Sequence, residues 1–190
     1  MTNINILKKS FQDLKRFWSI VLLASMPLSL LPSFLIVNKT VGLLLVLIFT
    51  GVLRLSLSKV TLFIAQGKIV KISQIFDGFY QFKNSLGVFL LSMVFIAFGL
   101  LLLIIPGIII FIWLSQSFFI LVEHPELEPI EVFKKSKELI KGHEVYYFLF
   151  FIVFICLSLI FVWIKLPFLS FLLVPLEYTF FANFYLSLKK

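Results

Sequence analysis

Glu177 and Arg54 are the two side chains in this sequence that most need a chemical explanation. Glu177 is the one acid within any long apolar stretch, and Arg54 sits deep in another. An ionisable group in such a stretch is costly unless it is paired or turned towards water, so it is read first as a functional candidate. At the 1.5 Å rise of a helix, Glu177 falls about ten residues, roughly 15 Å, from one end of its stretch, and Arg54 about thirteen residues, roughly 20 Å, into its own. The two would differ in depth by about one helical turn. They could form a coupling or gating pair, or Glu177 could bind a proton in a transporter. Equally, they could be a buried structural pair, or Arg54 could snorkel to the nearer interface, as Lys59 is expected to do. Gln116, flanked by Ser115 and Ser117, is a third intramembrane candidate, although such groups more often bond helix to helix than line a substrate path.

Other motifs are sparse. Glu123-His124-Pro125-Glu126, with Glu128 and Glu131 following and His143-Glu144 further on, lacks the ligand spacing of a zinc site, and no H-E-x-x-H occurs. Phosphate-loop, G-x-S-x-G and dinucleotide fingerprints are missing as well. No metal, no cofactor and no catalytic residue are expected. The single cysteine, Cys156, lies in an apolar stretch and leaves the redox compartment unspecified.

The elements that carry these residues follow from composition. Hydrophobic residues make up 61% of 190 positions and charged residues 14%, with a mean hydropathy of +1.12. A soluble domain of this length could not hide so much apolar surface. The apolar runs are continuous and do not alternate, and they approach the length of about 20 residues that crosses a bilayer as a helix. The fold class is therefore all-α, a single integral membrane domain over residues 1–190. Six spans are predicted: Phe17–Val37, Val41–Ala65, Leu86–Ile105, Ile108–Val122, Val145–Ile164 and Phe168–Leu186. Short turns at Asn38-Lys39-Thr40, Pro106-Gly107 and Lys165-Leu166-Pro167 would fold them into three hairpins. Lys8, Lys9, Lys15 and Arg16 precede the first run as in a signal peptide, but that run is long enough to be a retained span.

Charge gives the orientation. Lys8, Lys9, Lys15, Arg16, Lys68, Lys71, Lys83, Lys134, Lys135, Lys137, Lys141, Lys189 and Lys190 fall on the side of the longer polar segments; only Lys39 and Lys165 fall on the other. Thirteen against two places both termini in the cytoplasm of a bacterial inner membrane. Trp18, Tyr146, Tyr147 and Tyr185 near one boundary and Trp163 near the other fit aromatic belts. The net charge of +8 suits anionic headgroups better than nucleic acid, which is not expected as a partner.

A threefold internal repeat is expected, with units 1–66, 67–123 and 124–190. A shift of 126 residues lays Lys8-Lys9-Ser10 on Lys134-Lys135-Ser136 and Lys39 on Lys165, and a shift of 57 lays Phe76 on Phe133. Each unit would be a cytoplasmic amphipathic helix followed by a hairpin. The stripes are Ile4, Leu7, Phe11 and Leu14; Ile69, Ile72, Ile75, Phe76, Phe79 and Phe82; and Ile130, Val132, Phe133, Leu139 and Ile140. These helices could lie in the headgroup plane, with Lys8, Lys9, Lys15, Arg16, Lys134, Lys135 and Lys141 as headgroup contacts, or pack beneath the bundle as connectors.

Pro106-Gly107-Ile108-Ile109, a span ending in Leu121-Val122-Glu123, then Pro125, Glu131, Ser136 and Gly142 together resemble uncharacterised bacterial integral membrane proteins of the YciC-like kind. Those are similar to the membrane domain attached to some glycerophosphoryl diester phosphodiesterases, whose catalytic domain is expected to be absent here. The resemblance covers roughly residues 100–150. It implies six helices with cytoplasmic amphipathic helices, a link to envelope or lipid biology, and no catalytic residues.

Three functions are open. The first is a non-enzymatic membrane protein that organises or senses the bilayer, with lipids, a membrane-protein partner or a second copy of itself as partner. The second is a small transporter or transporter subunit using Glu177 and Arg54. The third is an intramembrane lipid-modifying enzyme, which would need convergent polar groups at one depth, and the spacing along the chain shows none.

Overall fold

The computed structural model describes residues 3–163 and 172–189. The described residues are helical throughout apart from short connections, and five of the helices are long and apolar enough to cross a membrane. The expected turn Lys165-Leu166-Pro167, Ile164 at the end of span five and Phe168 at the start of span six lie outside the described residues.

Helix α1 (Asn3–Leu30) joins the first amphipathic segment to the first span, and a kink at Phe17 (φ −119°, ψ 23°) separates the two. The turn Leu31–Ser33 leads into the short α2 (Phe34–Val37). Asn38 then reverses the chain and caps α3 (Lys39–Ala65), its side-chain oxygen accepting from the Thr40 and Val41 amides at 3.0 and 3.1 Å. Such a cap contributes about 1 kcal/mol. Helix α3 is the hub of the bundle and packs against α1, α2 and three of the helices that follow it. Its far end is closed by Lys9, whose ammonium donates to the Ala65 carbonyl at 2.7 Å. Lys9 thus caps this helix, a role beyond the headgroup contact expected of it, because the α3 carboxyl end presents unpaired carbonyls to a cation.

Residues Ile72–Gln81 form a 3₁₀ helix that runs antiparallel beside α3. Runs of more than three or four residues are uncommon in this conformation, and here tertiary contacts hold it. Asp77 pairs with Lys59 at 2.7 Å, and the Gly78 amide donates to Ser56 Oγ at 3.0 Å. A methyl group at Gly78 would stand 2.3 Å from the Val52 carbonyl oxygen, so only glycine allows this approach. Lys59 therefore has an acidic partner and does not simply snorkel.

Helices α4 (Phe82–Leu102) and α5 (Ile104–Leu114) form the second hairpin. Its reversal is at Leu103, which is extended (φ −164°, ψ 151°). The predicted turn at Pro106-Gly107 is corrected: both residues stand in the first turn of α5. Proline suits that place because first-turn amides have no intrahelical partner to lose. Gly107 lets the helices cross closely, since a methyl at Gly99 would lie 2.9 Å from Gly107 Cα.

The fourth predicted span is broken at Ser115-Gln116, beyond which it continues as α6 (Ser117–Glu123). Next comes α7 (Pro129–Ile140), which starts on proline with a reciprocal Glu128–Glu131 capping box. Gly142, at φ +85°, ends this segment, and α8 (Glu144–Trp163) and α9 (Leu173–Leu188) complete the chain. A core of Phe119, Tyr147, Phe154, Phe180, Phe181 and Phe184 joins α6, α8 and α9. A second core, including Leu14, Val21, Leu57, Val60 and Ile64, joins α1 to α3. Elsewhere the outside is apolar: Ile36, Leu101 and Trp163 are more than four-fifths exposed, the distribution expected when hydrocarbon is the solvent.

Candidate functional site

On α3, the residues Val46, Thr50, Arg54 and Ser58 recur every four positions, so they form one ridge of the helix. On α9, Val174, Glu177, Tyr178 and Phe181 occupy a comparable face. Helices α3 and α9 are neighbours, and the two ridges look into a common cavity of about 470 Å³. Ser92 from α4, Ser115 at the break after α5, and Tyr147 from α8 complete its polar lining. Phe111, Phe118, Phe119 and Phe151 supply aromatic walls, and Leu28, Leu31, Pro32 and Ile96 an aliphatic end. The volume lies in the range of small-molecule sites, about 300–1,000 Å³.

A polar knot sets the depth of the two charged residues. Glu123, the last residue of α6, accepts from Gln66 just beyond α3 at 3.4 Å and from Lys189 just beyond α9 at 2.7 Å, and it also accepts the Tyr185 hydroxyl. These bonds bring the ends of α3, α6 and α9 to one level. Arg54 lies eleven residues before Ala65 and Glu177 eleven residues before Leu188, about 16 Å from that level in each case. By helix rise the pair therefore stands at a similar distance from the knot. The pairing that the sequence left open is not made directly: no ion pair within 4 Å joins them among the described residues. Arg54 is exposed and Glu177 half-buried. Each side chain lines the cavity. The Ser58 hydroxyl, fully buried and lining the same space, has no hydrogen-bond partner among the described residues.

Gln116 does not line the cavity. It is fully buried at the break between α5 and α6, where Ser136 of α7 repairs the ladder. The Ser136 hydroxyl donates to the Trp113 carbonyl at 2.6 Å and accepts the Gln116 amide at 3.2 Å. One side chain from a distant segment thus satisfies both backbone groups that the break would leave unpaired. Ser115 alone of that triplet reaches the cavity.

Lys8, Lys15, Arg16, Lys134, Lys135 and Lys141 are exposed. Arg16 lies over the Phe17 ring at 5.3 Å, and Lys137 over Trp113 at 4.1 Å. His124 approaches Glu126 at 3.4 Å. Among the described residues no three of His, Cys, Asp and Glu gather as a metal site would require. Convergent polar groups, which the chain's spacing did not reveal, are supplied by Thr50, Ser58, Ser92, Ser115, Tyr147 and Tyr178. The four-residue ridge on α3 was a readable signal. Which helices would face it was not, because adjacency in a bundle is decided by packing.

A family model described as a protein of unknown function (DUF975) matches residues 90–190, which include Glu177 but not Arg54. No curated protein and no solved structure matches the chain.

Proposed function

The chain belongs to this family of proteins of unknown function, DUF975, and from that premise we propose that it is a small multi-pass transporter, or the binding subunit of one, whose solute site is the Arg54–Glu177 cavity. The observation that carries the reading is that this cavity reaches both charged side chains while they stay out of ion-pair contact. Charged groups held within a bundle are costly unless compensated, and hydroxyls with one ion of each sign form a set suited to holding a polar solute. We read the chain as non-enzymatic and resident in a bacterial inner membrane, with the Glu123 end in the cytoplasm; the lysine asymmetry and the resemblance to YciC-like proteins support this. The meeting of residues 66, 123 and 189 at one knot lends support to three repeated units, a common basis of transport folds.

The other reading, a protein that organises or senses lipid through its basic amphipathic segments, draws on the exposed lysines of α7. Against it, most of the apolar side of α7 is already covered by the bundle: Val132, Phe133 and Ile140 are buried and Leu139 partly so, which leaves Ile130 exposed.

The test is solvent access. In a Cys156→Ala background, Thr50→Cys and Ser92→Cys should react with a small water-soluble thiosulfonate in membrane vesicles at rates comparable to Asn38→Cys at the hairpin tip. If the tip reacts and both cavity positions stay inert, the cavity is dry and the transport reading fails.

A further inference from the structure

We infer that the cavity takes a zwitterionic solute with an apolar body, its anionic group on Arg54 and its ammonium on Glu177. The inference rests on the solute-binding reading and adds the chemical class. Arginine stays protonated at any accessible pH, so whatever fills the cavity must bring an acceptor for its guanidinium. A simple anion would meet that demand but offer Glu177 no cationic partner. A simple cation would do the reverse, and the guanidinium has no means of becoming neutral. Direct contact between the two side chains would cancel both charges, and α3 and α9 are close enough to pack, yet the gap exceeds ion-pair distance.

A ligand carrying one charge of each sign satisfies both groups, and charge-assisted hydrogen bonds of this kind are the strong ones. Hydroxyls flank the two charges. Ser58 stands one turn from Arg54 with its buried oxygen unpartnered among the described residues, and Tyr178 adjoins Glu177. Away from the charges, towards the Asn38 end, Leu31, Pro32, Val46 and Ile96 line the space. That end accepts the apolar body, and the aromatic wall, including the Phe111–Phe151 pair at 4.6 Å, offers faces to an ammonium.

The experiment uses the full chain in maltoside micelles and three short-chain probes: dihexanoyl phosphatidylethanolamine, dihexanoyl phosphatidylglycerol and decyltrimethylammonium. Binding is measured by calorimetry, together with protection of the Thr50→Cys thiol. The zwitterion should bind at least about tenfold more tightly than either singly charged probe, the factor that one compensated charge is worth. Arg54→Gln and Glu177→Gln should each remove that advantage, and the exchange Arg54→Glu with Glu177→Arg should restore much of it. The comparison among probes on the unaltered chain does not depend on any variant folding. If the phosphatidylglycerol probe binds as tightly as the zwitterion and Glu177→Gln leaves it unchanged, the site is an anion site and this inference is overturned while the cavity reading stands. If no probe slows thiol modification, the inference is overturned too. A thiol inert even without probe means that the solute-binding reading itself has failed.

Discussion

Residues 69–82 and 129–140 carry apolar stripes of the same kind, each flanked by lysines, and the bundle uses them in opposite ways. In α7 most of the stripe turns inward: Val132 and Ile140 are fully buried, Phe133 nearly so, and Ile130, Lys134, Lys135 and Lys137 are left outside. In the 3₁₀ segment and the residues just before it the stripe turns outward: Ile69 and Tyr80 are 87% and 89% exposed, and Ile72, Phe76 and Phe79 are exposed as well. Ile75 and Gly78 within the 3₁₀ segment and Val70 just before it are the buried residues, with Asp77 tethered to Lys59. The deciding residues are the small or polar ones within each stripe. Ser136 has a broken helix to bond, which draws α7 against the bundle. Gly78 admits contact with α3 along a single narrow edge, so the larger side chains beside it point away. An apolar stripe therefore identifies an interfacial segment without saying whether protein or lipid covers it.

The largest separation between the two segments should come from truncating matched phenylalanines. Phe133→Ala should cost about 3 kcal/mol, the range for emptying a packed aromatic site, whereas Phe76→Ala should stay within about 0.5 kcal/mol. Thermal unfolding of both variants in the same detergent checks this, and equal losses would erase the distinction.

Next in size is Ser136→Ala, expected to lower stability by about 1–3 kcal/mol because the Trp113 carbonyl and the Gln116 amide both lose their partner. Hydrogen exchange at residues 113–117 should rise in step. Unchanged protection would mean that α7 does not hold the break, and its inward seating would need another cause.

The smallest effect should come from Asp77→Asn. The Lys59–Asp77 pair is partly open to solvent, and such pairs contribute under about 1 kcal/mol. A loss much above that, by chemical denaturation, would show the 3₁₀ segment to be anchored as firmly as α7.

Much of the architecture was legible because hydrocarbon imposes a simple rule on the chain. The boundary between amphipathic segment and first span, placed at Phe17, coincides with the kink there. The expected turn at Asn38 is a real cap, since asparagine offers a local acceptor to the amides that follow. Spacing even hinted at the 3₁₀ segment: Ile69, Ile72 and Ile75, and Phe76, Phe79 and Phe82, recur every three residues, the period of that helix. Pro106-Gly107 misled because proline before glycine reads as a turn although proline is equally at home in a first helical turn. The break at Ser115-Gln116 was hidden because its partner, Ser136, is twenty residues away.

Composition and periodicity alone determined that this chain forms apolar helices with lysine gathered at one end, and that Arg54 and Glu177 are the charges to be explained. Both conclusions depend only on neighbours along the chain and on the solvent. Whether those charges meet, what lies between them, and which amphipathic stripe faces protein were decided by the tertiary structure. Those outcomes turn on which helix ends the Glu123 knot levels and on how closely glycine and serine let backbones approach, and such pairings link residues that no local pattern connects.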